Sequence, residues 1–540
     1  MRTQYMLGAA FKIVKWSLAL LSLVAVIFLG VRIYDSQRGL PLDVWHTYAP
    51  DELNVEEMEK ADWRDYLANE EKIFALMRVN VSRKLTPDEQ VPFNRYFEGS
   101  PVYPANFLRD WNRSYTLEPS GPPSGAVVLL HGLTDSPYSL RHIASYYRDR
   151  GFVAVAIRLP AHGTTPAALT TVEWRSWVAA TRLAVREARR RAPAPLPIHI
   201  VGFSNGGSLA LKYALDAIEN KDLARADRLI LISPMVGVTR FARFAGFAGL
   251  PAMFPAFAKA AWLSVMPEFN PFKYNSFPVN GARQSYLLTD SLRTQIAALR
   301  QDGRLEDLPP ILTFQSVMDF TVSTPAVLSG LYDHLPANGS ELVLFDVNRN
   351  VKFGPLLRET ADTKLSRIVP PGVRNYRLTI ITNAGDGTDE ASEQVVDVGA
   401  VEEHSRRLGI DYPKGVFSLS HVALPFPLSD SLYGLTPDNS EDFGVHLGSL
   451  APRGERGTLI VSLDALLRMS SNPFFPYLVE RIGAQIPVSP TRKVLEPVGT
   501  APVPERREEF VPSTPAAAPA QNHYRSPAKG DSTTRSRRSR

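Results

Sequence analysis

Between residues 126 and 234 the sequence alternates short runs that are apolar throughout with longer stretches that are apolar on one face only. AVVLL (126–130), FVAVAI (152–157), IHIVGF (198–203) and RLILISP (228–234) are too short for globular helices and lack the polar alternation of a strand with one wet face. Between them, LRHIASYYRDRG, VEWRSWVAATRLAVREARRR and GGSLALKYALDAI repeat their apolar positions at the helical period. Gly151 closes the first of these helices, and Thr170 and Glu173 are spaced as a capping box for the second. Strands apolar on both faces need cover on both faces, and the intervening helices supply it. The predicted class is therefore α/β, a mostly parallel central sheet with helices on either side.

The turn from IHIVGF into the third helix reads Gly202-Phe203-Ser204-Asn205-Gly206, a G-x-S-x-G in the strand-turn-helix context that gives the motif its chemistry. Flanking glycines permit a sharp, crowded turn that lifts the serine hydroxyl above the strand end, within reach of a base. Upstream, the strand AVVLL runs into His131-Gly132-Leu133-Thr134-Asp135-Ser136-Pro137. A glycine after a strand lets backbone approach a bound group closely, so the amides of Leu133 and Asn205 are the candidate oxyanion donors. His131 reads as a brace for this loop and not as the base.

Taken together, the strand followed by HGLTDSP, the later Arg158-Leu159-Pro160-Ala161-His162-Gly163, and VGFSNGG resemble the α/β-hydrolase superfamily. Within it they are most similar to the branch of monoacylglycerol lipases, carboxylesterases and serine aminopeptidase (S33-type) domains, over residues 121 to 345 and again from 415 to 483. The resemblance implies a chain order of Ser, Asp, His, a lid inserted after the sixth strand, and a Ser-His-Asp mechanism without cofactor or metal. Carried onto this chain, it makes Ser204 the nucleophile. Asp319, at the end of the apolar strand PPILTFQSVMD, becomes the acid, with a helix N-cap as the plainer reading of the same residue. For the base, Phe417-Ser418-Leu419-Ser420-His421 resembles the terminal loop of the family, and His446 is the runner-up. His404 sits in VEEHSRRLG, which reads as a solvated helix, and His523 lies in the tail. Residues 347–414 must then be an insertion between acid and base, including a hairpin over NYRLTIITNAGDGTDEASEQVV. Its NAGDGTDE turn lacks the full ligand spacing of a calcium loop.

Near the N-terminus, Trp16 to Val31 is free of charge and bracketed by Lys12, Lys15 and Arg32. As a helix it spans about 24 Å, and the flanking Lys and Arg stems extend it toward a ~30 Å hydrocarbon core. No small-x-small cleavage pattern follows, which favours an uncleaved anchor over a removed signal. The slight excess of basic residues before the span puts the N-terminus in the cytoplasm and the body on the extracytoplasmic side. Residues 51 to 85 read as an amphipathic helix leaving the membrane, and 86 to 120 as an irregular lead-in.

Charge sorts the remainder. Of the formal +5, ten basic and five acidic residues lie between Pro487 and Arg540, so residues 1–486 carry no net charge. A neutral body argues against a nucleic-acid-binding surface. The proline-rich, Arg/Ser-ended tail reads as a disordered solubilising segment in preference to a nucleic-acid arm, with electrostatic contact to anionic lipid or envelope surfaces as the alternative. Cysteine is absent, which removes thiolate nucleophiles, disulfides and Cys-ligated metals. Phe241 to Phe272 holds eight aromatics in 32 residues against a chain average of 10%. At the lid position this suggests an acyl-binding wall over Ser204 or contact with a bilayer, and ordinary lid packing explains it equally well.

The expected organisation is an anchor over 1–38, a juxtamembrane lead-in over 39–120, a hydrolase domain over 121–486 with its lid at about 235–308 and an insertion at about 347–414, and a tail over 487–540. The expected activity is that of a membrane-anchored serine hydrolase taking a lipophilic acyl ester. A peptidase or amidase with the same triad, or a silent hydrolase fold that binds a lipid or partner, are the alternatives.

Overall fold

The computed structural model describes residues 2–36, 39–237, 250–319, 321–350, 368–369, 372–413, 418–438, 440–448 and 471–487. The expected tail and His523 lie outside these residues. The strands in chain order are β1 (Tyr115–Leu117), β2 (Gly125–Leu130), β3 (Phe152–Ile157), β4 (Ile198–Phe203), β5 (Arg228–Ile232), β6 (Trp262–Ser264), β7 (Phe277–Pro278), β8 (Ile311–Ser316), β9 (Glu341–Phe345), β10 (Arg377–Asn383), β11 (Glu390–Val396) and β12 (Glu403–Asp411). Ten of them form one sheet in the order β1-β3-β2-β4-β5-β8-β9-β10-β11-β12.

From β3 to β10 every pairing is parallel, with Val128 opposite both Val155 and Ile200. The chain leaves each of these strands at the same sheet edge, and loops from several crossovers gather there. Strands β2, β3, β4, β8 and β9 are buried at every position. Their cover is the helices Arg141–Arg148, Trp174–Arg191, Asn205–Glu219, Val279–Gln301 and Phe475–Gly483, which makes this the α/β fold expected from the sequence.

The hairpin expected in the insertion is β10–β11, antiparallel, with Leu378 opposite Val396. It widens the sheet: β10 adds in parallel to β9, and β11 and β12 follow as antiparallel edge strands. His404 is on β12 and not on a solvated helix. The first five residues of the strand are exposed and show no apolar pattern, and only Leu408 and Ile410 alternate inward against the core; the ladder to β11 holds it, with Arg406 to Glu393 and Arg407 to Glu390 across the pair.

Two local expectations also fail. Thr170 does not cap the helix that begins at Trp174, whose N-cap is Glu173; the Thr170 hydroxyl donates to Ala167 O inside a 3-10 turn over Pro166–Thr170. The amphipathic stretch 51–85 is broken in two, Val55–Lys60 and Trp63–Asn80, because Asp62 caps the second helix by accepting from the amides of Arg64 and Asp65.

At the N-terminus a helix runs from Arg2 to Ser36, and its apolar window Phe11–Val31 has mean hydropathy 2.2 with none of it buried in the protein. Twenty-one residues rise about 32 Å as a helix, a bilayer core's thickness.

Candidate active site

Ser204 stands between β4 and the helix Asn205–Glu219 with φ 54° and ψ −115°, a left-handed region that costs a non-glycine residue of order 1–3 kcal/mol. The neighbouring glycines are dictated by space. A Cβ on Gly202 would meet Gly206 O at 2.3 Å, and one on Gly206 would meet Leu130 O at 1.9 Å. The backbone groups of the turn are nonetheless satisfied. Ser204 N donates to Ile232 O at 2.9 Å, and Ser204 O accepts from Gly207 N and Met235 N, both at 3.0 Å.

The loop after β2 packs directly on this turn: a Cβ on Gly132 would lie 3.2 Å from Ser204 Cβ. Asn205 is the first residue of its helix, so its amide is one of the donors that the helix itself leaves open. His131 braces the loop as expected. Its Nε2 accepts from Leu159 N at 3.0 Å, leaving Nδ1–H to donate to Gly132 O at 2.9 Å. Burial, reinforced by neighbouring His162, holds its pKa well below the ordinary imidazole value, so it stays neutral.

At the end of β8, Asp319 Oδ2 accepts from His421 Nδ1 at 2.8 Å. Its other oxygen accepts from the amides of Thr321 and Val322 at 2.8 and 2.9 Å. Burial pushes this carboxyl upward, but the imidazole and the amide donors outweigh it and hold the pKa below the usual carboxylate range. The adjacent helix is capped by Ser323, so the N-cap reading of Asp319 does not hold.

The His421 ring stacks on Phe203, the residue before Ser204, with centroids 5.3 Å apart and planes at 29°. Ser204, Asp319 and His421 thus gather over one sheet edge, each largely buried, at 7, 6 and 7% exposure. His446 does not join them; its Nδ1 hydrogen-bonds Ser431 O.

How Asp319 and His421 meet across 102 residues follows from the sheet. The chain leaves β9, adds three strands outward, and turns back at Tyr412, whose hydroxyl donates to Asp346 O and Ile381 O. Ser316 Oγ then holds Leu419 O at 2.8 Å, which delivers His421 above β8.

Sequence reasoning missed the groups that brace these loops. Asp430 accepts from Tyr138 OH, Arg141 Nη1, His142 Nε2 and the amides of Leu432 and Tyr433, joining the loop of His421 to the segment after the His131 loop. Arg158, fully buried, forks onto Glu52 at 2.7 and 2.9 Å, reaches Glu70 at 3.0 Å and donates to His162 O at 3.0 Å. That cluster fastens the lead-in beneath the His131 loop. No sequence signal pairs Glu52 or Glu70 with Arg158 in advance.

In the expected lid, residues 238–249 lie outside the described set. Of the remaining aromatics, Trp262 and Phe272 are buried, the first edge-on to His46 and the second stacked 4.2 Å from Tyr138, so ordinary packing accounts for them. Phe254 is 65% exposed and Leu263 44%. Among the described residues no cluster of His, Asp or Glu could hold a metal ion.

Residues 121–347 match the family profile of the serine aminopeptidases, S33. A thermostable monoacylglycerol lipase from Bacillus sp. (strain H-257) is 32% identical over 88 residues, which span 16% of this chain and 34% of that lipase. The chain therefore spans about a third of the length of this relative. Among solved structures, the monoacylglycerol lipase of Paleococcus ferrophilus is 14% identical over 47% of this chain and 97% of its own, with a TM-score of 0.32. The monoglyceride lipase of Saccharomyces cerevisiae is 14% identical over 43% and 81%, with a TM-score of 0.34.

Proposed function

We propose that this chain, whose residues 121–347 match the S33 branch of the α/β hydrolases, is a membrane-anchored serine hydrolase that cleaves a lipophilic carboxylic ester. The observation that carries the reading is Ser204 held at φ 54° beside an Asp319–His421 pair bonded at 2.8 Å over the same sheet edge. With Asp319 ionised, His421 carries its proton on Nδ1, which leaves Nε2 as the base. The imidazole takes the Ser204 proton as the hydroxyl oxygen attacks the ester carbonyl, and the tetrahedral oxyanion rests on the amides of Leu133 and Asn205. Collapse expels the alcohol, protonated by His421, and leaves an acyl-enzyme. Water activated by the same imidazole then releases the acid.

Two features support a lipophilic substrate. One is the likeness to a monoacylglycerol lipase. The other is the turn Pro255–Ala261, which lies against the helix Arg2–Ser36 that we propose as the anchor, with Phe254 exposed beside it. In this reading the N-terminus is cytoplasmic, the helix is an uncleaved anchor, and the hydrolase domain, extending to residue 486, is extracytoplasmic.

A fluorophosphonate probe on the full chain in detergent tests the assignment. Labelling that disappears in Ser204→Ala supports it, and an unlabelled, folded wild type overturns it. On a p-nitrophenyl ester, His421→Ala should abolish turnover while His446→Ala leaves it; the reverse would move the base to His446.

A further inference from the structure

Asp319 Oδ2 has a second donor besides the imidazole. Gln315 Nε2, on β8 and fully buried, lies 3.2 Å from it and 3.2 Å from Thr324 Oγ1. Thr324 in turn donates its hydroxyl proton to Ser316 O at 3.0 Å, so its oxygen is turned to receive the amide. Gln315 Oε1 is buried and accepts nothing among the described residues. The opposite amide orientation would satisfy neither end, because it would set Oε1 against the carboxylate. Thr324 and the carboxylate thus fix the amide with its N–H on the acid.

We propose that Gln315 is a positioning residue of the hydrolase, whose amide fixes the Asp319 carboxylate and shares the charge on the oxygen that faces His421. The inference rests on the Ser204, Asp319 and His421 assignment given above. Without the amide, Oδ2 would turn its full charge on the imidazole, and the carboxylate would lose one of its four donors. The imidazolium would then hold its proton to higher pH, and the base would be less often in register with Ser204.

Gln315→Met, close in length and without polar hydrogens, should lower kcat about tenfold with KM nearly unchanged, and move the acid limb of kcat/KM upward by about one pH unit. Thr324→Val, which removes only the group that turns the amide, should shift both in the same direction by less. Gln315→Glu supplies the distinguishing signature. Burial and the neighbouring carboxylate keep the new acid protonated near neutrality, so it donates to Asp319 and activity is retained. As pH rises through its elevated pKa, the second charge holds the imidazole protonated and a new alkaline limb cuts activity off. The full chain in detergent, checked for folding by thermal melting, is assayed on a p-nitrophenyl ester and labelled with fluorophosphonate. Variants that label and melt like wild type yet keep its kcat and pH profile overturn the inference alone. A wild type that does not label overturns the triad and the inference with it.

Discussion

Gly206→Ala should abolish the proposed activity by moving backbone, with every side chain of the proposed site still present. The added Cβ would sit 1.9 Å from Leu130 O, 2.5 Å from Leu130 C and 2.7 Å from His131 O, whereas Cβ atoms essentially never come closer than 3.0 Å to a neighbour. Backbone cannot rotate aside as a long side chain does. Either the end of β2 or the first turn of the helix Asn205–Glu219 must withdraw by about 1 Å. Both carry a candidate oxyanion donor, Leu133 on one side and Asn205 on the other, so any withdrawal widens the gap between them. A misplacement of this size costs roughly a hundredfold in rate, with an overpacking penalty of about 1–3 kcal/mol in stability. Gly207→Ala is the control: its Cβ would meet Pro234 Cβ at 2.8 Å and Pro234 Cα at 2.9 Å, a milder clash away from the β2 loop. Purified variants would be compared by kcat on a p-nitrophenyl ester and by thermal melting. If Gly206→Ala keeps wild-type kcat, or loses no more than Gly207→Ala, the close approach of β2 to the helix does not set the oxyanion geometry.

Arg158→Met would leave Glu52 and the buried Glu70 without their cation, which for such a cluster costs about 3–5 kcal/mol; Arg158→Met with Glu70→Gln should recover part of it in thermal melts, and equal losses would refute the ion cluster as the cause. His199, hydrogen-bonded to Tyr147 OH, is held neutral by burial and then by Arg228, its pKa lowered from 6.5 to about 3. The unfolded chain therefore binds a proton that the folded one refuses. Stability is full above pH 6.5 and falls toward pH 3 by up to about 1.4 kcal/mol per unit, so His199→Phe should show a flatter melting profile over that range than wild type.

The parts of the fold legible in the sequence were those written in local periodicity. β2, β3, β4 and β5 are buried along nearly their whole lengths, so their residues are apolar nearly throughout, and Ser204 follows from where β4 ends. The strand β8 places Asp319 for the same reason. β12 reads as a solvated helix because it is an edge strand whose first five residues are exposed, and its period of two is confined to Leu408 and Ile410. The braces were illegible for a different reason. Glu52 and Glu70 meet Arg158 across 106 and 88 residues, and Asp430 meets Arg141 across 289, and a charged residue looks the same in sequence whether it is solvated or buried against a partner.

Those long-range braces bear on what the hydrolase domain requires. The family match ends at residue 347, before His421, and begins at 121, after Glu52 and Glu70. Yet His421 is delivered by a loop that Asp430 fastens to Arg141, and the loop of Leu159 to Gly163 is fastened to the lead-in through Arg158 and through Tyr66 OH on Arg158 O at 2.6 Å. Leu159 N in turn bonds the His131 imidazole that braces Gly132 beside Ser204. A continuous path of buried hydrogen bonds therefore runs from the helix Trp63–Asn80 to the backbone that faces Ser204. Such a path makes the lead-in part of the framework that positions the proposed site, and it ties the geometry at Ser204 to the segment that joins the domain to its apolar helix.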